Sequence, residues 1–207
     1  MSELAAAEHG HDHYDPEANK LGFWLFLFTE LLLFGTMFIA FAMYQDMYKI
    51  EFIEGTHHQN IILGTVNTIV LLTSSLTMAL AIQALRRGLK TLSIAYMAFT
   101  IVCSAGFCVI KFIEWSAKYH KGIFLLNENM DTLPKGEQVY YGLYFTMTGF
   151  HAFHVLVGAL LIIWVMVAVA KGKVHAKRLS FIDNVGLFWH LVDLVWIFLF
   201  PLFYLIR

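Results

Sequence analysis

Tyr144-Phe145-Thr146-Met147-Thr148-Gly149-Phe150-His151-Ala152-Phe153-His154-Val155-Leu156-Val157-Gly158 is the stretch on which the reading of this chain turns. It lies inside an apolar run long enough to cross a bilayer, yet it carries two histidines, His151 and His154. Ionisable groups at membrane depth are costly, about 2.5–3.5 kcal/mol for charged residues on insertion scales. They persist where they pair, face a bundle interior or take part in function.

Composition points to the same setting. Of 207 residues, 59% are hydrophobic and only 14% charged, and the mean hydropathy is +0.66. Soluble domains carry about a quarter charged residues. The 19 Phe and 5 Trp suit lipid-facing surfaces and interfacial belts. A formal net charge of −1 leaves no footprint for nucleic acid. Cys103 and Cys108 sit too far apart on one helix to bridge, so they read as small core residues.

A spanning helix needs about 20 apolar residues. Runs at about 21–45, 61–85, 92–116, 140–170 and 181–206 qualify. The expected fold is therefore all-α, a polytopic bundle of five transmembrane helices over 21–207 behind a polar tail over 1–20. That tail lacks the basic start of a cleaved signal, and its His9, His11 and His13 read as solvated. The 117–139 connector, with Asn127, Asn129, Pro134 and Gly136, reads as a surface loop.

Orientation follows the Lys and Arg count. Lys20, Arg86, Arg87, Lys90, Lys171, Lys173, Lys177 and Arg178 share one side. Lys49, Lys118, Lys121, Lys135 and Arg207 share the other, so eight stand against five. The N-terminus is expected in the cytoplasm and the C-terminus outside.

A rise of about 1.5 Å per residue converts position to depth. Glu30 and His190 come to about 14 Å from one face, Asp193 about 4–5 Å further, and His151 about 16 Å from the other. These groups fall in one layer, which makes hydrogen bonding between their helices the economical expectation. His151 with His154, and His190 with Asp193, each share a helix face. The histidines could ligate a haem or metal, but nothing completes a ligand set, so packing histidines are favoured. For His190 and Asp193 a structural hydrogen-bonded pair stands beside a proton relay. Glu30, among Phe28, Thr29 and Leu31 to Leu33, has no cation nearby in sequence, so it is neutral or satisfied across a helix interface. Lys111 and Glu114, three apart, read as a local ion pair with a snorkelling lysine. Asn67 reads as an interhelical hydrogen-bonding residue, and Trp189 as core or belt. No nucleotide loop, Ser-His-Asp arrangement, zinc spacing or carboxylate pair is present, so no catalytic residue and no metal ligand is assigned.

Four segments resemble subunit III of the haem-copper oxidases, the cytochrome c and quinol oxidase superfamily. Gly22-Phe-Trp-Leu-Phe-Leu-Phe-Thr-Glu30 is similar to the family's first shared helix, with Glu30 at its buried carboxylate. Asn67-Thr-Ile-Val-Leu-Leu-Thr-Ser-Ser75 is similar to its Asn-Thr-x-x-Leu-Leu-x-Ser segment. Thr148-Gly-Phe-His151-Ala-Phe-His154-Val resembles its Thr-Gly-Phe-His-x-x-His-Val motif, and Trp189-His190-Leu-Val-Asp193-Leu-Val-Trp196 its closing motif. Glu114-Trp115 matches a Glu-aromatic pair.

The resemblance implies a subunit without redox centres, the haems and copper lying in partner subunits. It implies packing against subunit I within a complex of subunits I and II, binding of phospholipid, and support of proton uptake and complex stability. Glu30, His151, His154 and Glu114 would then serve lipid contact or the proton environment; Asn67, Trp189, His190 and Asp193 would serve packing. The setting implied is the bacterial inner membrane. Many relatives have two further N-terminal helices that wall a lipid cleft. Five-helix forms occur in cytochrome c oxidases, quinol oxidases and a subunit III-like protein of nitric oxide reductase, and the residues do not separate these. From other classes, a haem-binding membrane protein using His151, His154 and His190, or a transporter coupled through Glu30, stays open.

Overall fold

The apolar period of the chain sets its architecture. In a computed structural model, which describes residues 16–124, 130, 132–172 and 176–206, the elements are α1 (Pro16–Met47), α2 (Lys49–His57), α3 (Ile61–Arg86), α4 (Lys90–His120), α5 (Lys135–Ala170) and α6 (Ala176–Tyr204). All but α2 are long and apolar enough to span a membrane, and no strand occurs among the described residues. This is the all-α bundle of five spans expected from the sequence, and the chain is a multi-pass membrane protein. His9, His11, His13, Asn127, Asn129, Lys173 and Arg207 lie outside the described residues, as do the side chains of Lys177 and Arg178.

The buried face of α4 runs Ser93, Met97, Thr100, Ser104, Phe107, Lys111, Glu114, Lys118. Its alternating steps of four and three keep one stripe turned to a neighbour, as in left-handed helix packing. The facing stripe on α3 runs Gly64, Asn67, Leu71, Ser74, Met78, Ala81, Leu85 at the same spacing. Small residues in both stripes let the backbones approach, and this is the most extensive helix contact in the molecule. Hydroxyls join the pair: Ser93 Oγ donates to Ala81 O at 2.8 Å, and Thr77 Oγ1 meets Thr100 Oγ1 at 2.8 Å. Gly88, with φ of 79°, supplies the left-handed turn that reverses the chain between them.

Helix α6 packs on α3 and α5, and α5 packs on α4, closing a four-helix ring. Trp189, Trp196, Phe107, Met78, Leu71 and Phe203 fill its centre. Gly158 admits Trp189 to α5; a Cβ there would come within 2.8 Å of the indole, which is why the motif ends in glycine. Helix α1 lies outside the ring against α5 and α6, with Leu25, Phe28, Leu32 and Ile39 exposed to what would be lipid.

One element goes beyond the sequence reading. Residues 45–60, read as a connector, contain α2, which buries Phe52, Gly55 and Thr56. Phe52 meets the Tyr140 ring edge-on at 5.4 Å, so the short helix closes the end of the bundle where α5 begins. Its nine residues are too few for their apolar pattern to stand out. Cys103 and Cys108 are free and half-buried.

Candidate functional site

Helices α1 and α5 meet through their ionisable residues. His154 Nε2 lies 2.8 Å from Glu30 Oε2, and His154 Nδ1 lies 2.7 Å from Phe150 O. A carbonyl only accepts, so Nδ1 carries a hydrogen and donates. Nε2 then meets the carboxyl across the helix interface as a second hydrogen bond. Phe34 and Phe188 flank the imidazole at 5.3 and 6.3 Å, which keeps it out of lipid. Glu30, with no cation within two turns of it on α1, is therefore satisfied across the interface.

His151 points elsewhere. A separation of three residues turns the helix by about 60° short of a full circle. While His154 faces α1, His151 enters the ring between Phe107 and Trp196, at 5.4 and 5.2 Å, and is fully buried with neither nitrogen on a partner among the described residues. Asn67 is equally enclosed and unpartnered. His190 Nδ1 bonds Ser75 Oγ at 2.7 Å, and Asp193 faces Ser74 and Ser75 without closing a hydrogen bond. The expected His190–Asp193 pair is thus not formed, because α3 presents a hydroxyl to the imidazole. Trp189 Nε1 donates to Ser74 Oγ at 3.2 Å, and Trp196 Nε1 to Thr68 Oγ1 at 3.1 Å. Of the layer expected from depth, Glu30, His151, His190 and Asp193, no two bond each other: Glu30 meets His154 instead, and His190 and Asp193 turn to α3.

A second cluster sits towards the α2 end. Lys111 Nζ donates to Glu114 Oε2 at 2.9 Å and to Tyr204 Oη at 2.7 Å. Tyr204 Oη lies 2.9 and 2.8 Å from the two Glu114 oxygens and donates to that carboxylate. The ammonium stands 4.6 Å from the Trp196 ring centroid, a cation–π distance. The local ion pair forms, but Lys111 does not snorkel: both side chains are only 3% exposed. Turning inward gives the ammonium a carboxylate, a phenol and three aromatic rings, which lipid cannot offer. Two turns beyond Lys111, Lys118 Nζ donates to Gln59 Oε1 at 2.7 Å.

Tyr204, Lys118, Gln59, Ser74 and Ser75 were not singled out by sequence. The signal for Lys118 is the α4 stripe, whose spacing runs through Lys111, Glu114 and Lys118 without a break. For the serines it is their adjacency within the Asn67–Ser75 segment.

Among the described residues no three His, Cys, Asp or Glu side chains converge as a metal centre requires. The three histidines face different surroundings: both nitrogens of His154 are engaged, His190 Nδ1 is held by Ser75, and His151 is walled in by aromatic rings.

The sequence profile of the family described as cytochrome c oxidase subunit III matches residues 4–206. The chain is 30% identical over 207 residues to quinol oxidase subunit 3 of Bacillus spizizenii, covering 96% of each protein. It is 33% identical over 197 residues to cytochrome c oxidase subunit 3 of Corynebacterium diphtheriae, covering 93% of this chain and 90% of that one. It is 25% identical over 202 residues to the haem-copper oxidase subunit I+III of Aeropyrum pernix, covering 95% of this chain and 24% of that longer protein.

Proposed function

The chain belongs to the cytochrome c oxidase subunit III family, and on that premise we propose that it is a non-redox accessory subunit of a respiratory terminal oxidase that uses cytochrome c. It packs against the haem-copper subunit I, with subunit II in the same complex and the haems and copper held by those partners. The relative whose name joins subunits I and III in one protein supports the contact with subunit I. The N-terminus faces the cytoplasm of a bacterial inner membrane, a reading supported by Arg86, Arg87, Lys90 and Lys171 standing exposed at one end of the bundle.

The observation that carries the accessory role is the Glu30–His154 hydrogen bond in the α1–α5 seam. It uses two ionisable groups to hold a peripheral helix to the ring near the lipid face. Phospholipid lies along this seam, and the pair, with His151 and Glu114 deeper in, sets the polar environment that supports proton uptake and stability of the complex. Similarity to a quinol oxidase subunit over nearly the whole chain favours a second reading, in which the electron donor is a quinol.

Affinity purification of the tagged chain from its own membranes tests the proposal. A haem-copper subunit I is expected with it, and the purified complex is expected to oxidise cytochrome c. Oxidation of quinol alone would favour the second reading, and recovery without subunit I would remove both. Glu30→Ala is expected to leave assembly intact while changing bound lipid or the lifetime of activity during turnover. Unchanged lipid together with unchanged decay would count against the role of the seam.

A further inference from the structure

A cavity of about 540 Å³ opens at the end of the bundle where α3 begins and α4 ends. Its polar wall holds Lys118, Lys121, His58 and Glu114. Glu114 binds Lys111 and Tyr204 and its one negative charge acts on both Lys111 and Lys118, so with Lys121 the wall keeps a positive excess. Lys118 is more than nine-tenths buried and, among the described residues, forms no ion pair. Its ammonium rests on the neutral Gln59 oxygen and lies 4.7 Å from the Tyr144 ring centroid. Lys121, three residues on, is exposed at the rim of the same cavity. Two cations thus face one space in which, among the described residues, neither forms an ion pair. The amides of Ile62 and Leu63 are taken by Asn60, so the lysines carry the attraction.

The depth and the remaining walls say what kind of anion fits. The spans of α3 and α4 terminate here, at Ile61 and His120, so the cavity lies at the level of lipid headgroups. Below the lysines its lining is apolar, with Ile62 and Ile113 open to the outside. A ligand with a phosphate at one end and a hydrocarbon chain at the other satisfies both walls. From this geometry we propose that the Lys118–Lys121 cavity binds the phosphate of an anionic phospholipid, its acyl chain running down past Ile113 and Ile62. The site stands apart from the Glu30–His154 seam and does not depend on the role given to that seam.

Native mass spectrometry of the full chain in neutral detergent, doped with phosphatidylglycerol or with phosphatidylcholine, tests this. The wild type is expected to retain phosphatidylglycerol in preference. Lys121→Gln, at an exposed position that folding does not need, is expected to weaken that retention about fivefold, as for loss of one lysine near an anionic headgroup. Lys118→Gln is expected to weaken it further, with phosphatidylcholine retention unchanged in both. Equal retention of the two lipids by the wild type, or undiminished phosphatidylglycerol retention by Lys121→Gln, overturns the proposal; should Lys118→Gln fail to fold, Lys121→Gln alone decides. Inorganic phosphate alone is the third arm. If it displaces phosphatidylglycerol at millimolar concentration the cavity is an ion site and the lipid is wrong; no displacement supports the amphiphile.

Discussion

Two ion pairs of nearly equal length close opposite ends of this bundle. Lys111 Nζ lies 2.9 Å from Glu114 at the α2 end, and Arg86 lies 2.8 Å from Asp183 where α3 meets α6. The first pair is 3% exposed on both sides; the second is 62% and 36% exposed. Charge and distance are matched, so what separates them is solvent. Buried charges have left water and depend on one another, whereas exposed charges keep most of their hydration whether or not they touch. Glu30 and His154 fall between, at 2.8 Å and 16% and 11% exposure, and the three sites form a series in burial.

The largest effect is expected at the buried end. Glu114→Ala leaves the Lys111 ammonium with only Tyr204 and aromatic faces, a loss of about 3–5 kcal/mol for a broken buried pair. Thermal unfolding in detergent would report it as a large drop in Tm. Replacing the whole cluster, Lys111→Met with Glu114→Leu and Tyr204→Phe, is expected to restore most of that stability, because apolar groups of similar size need no partner. A triple variant as unstable as Glu114→Ala would mean that the surrounding packing, and not the stranded charge, sets the cost.

The middle of the series should respond locally. Glu30→Ala deprives His154 Nε2 of its only partner, costing about 1–2 kcal/mol, the lower part of the range for a stranded polar group because the seam is not fully sealed. Helix α1 touches the ring sparingly, so the loss should appear as faster amide exchange in α1 with α3 and α4 still protected. Uniform loosening of the whole bundle would show that α1 is integral to the ring, and the contrast between rim and centre would fail.

Much of this series is legible in the residues, and the part that is not has a definite reason. Length and hydropathy locate the spans, because a helix crossing a bilayer must be long and apolar whatever it touches. Glu30 and His151 can be placed at one depth for the same reason. Depth does not give direction around the helix axis, so it does not show that Glu30 bonds His154, three residues on, while His151 faces other neighbours. Asn67 carries the appearance of an interhelical bonding residue and yet has no partner among the described residues. Lys111 was read as reaching outward because lipid-facing lysines do. The spacing that places it inside was present in α4, but it becomes decisive only once α3 supplies a matching stripe.

The exposed end sharpens the comparison from below. Arg86→Ala removes a guanidinium whose partner stays hydrated, so the expected loss is about 0–1 kcal/mol. Ionic strength separates this from a small packing defect. Screening over about 10 Å at 0.1 M salt already weakens the native Arg86–Asp183 attraction, so the stability gap between wild type and Arg86→Ala should shrink towards zero as salt rises. The gap for Glu114→Ala should stay constant over the same range, since counterions do not reach a pair enclosed by Tyr204 and Trp196. A salt-independent loss at Arg86 would mean that its side chain acts through the wall it forms with Gly186 and Leu187 and not through its charge. In that case the two ends would differ in packing rather than in access to water.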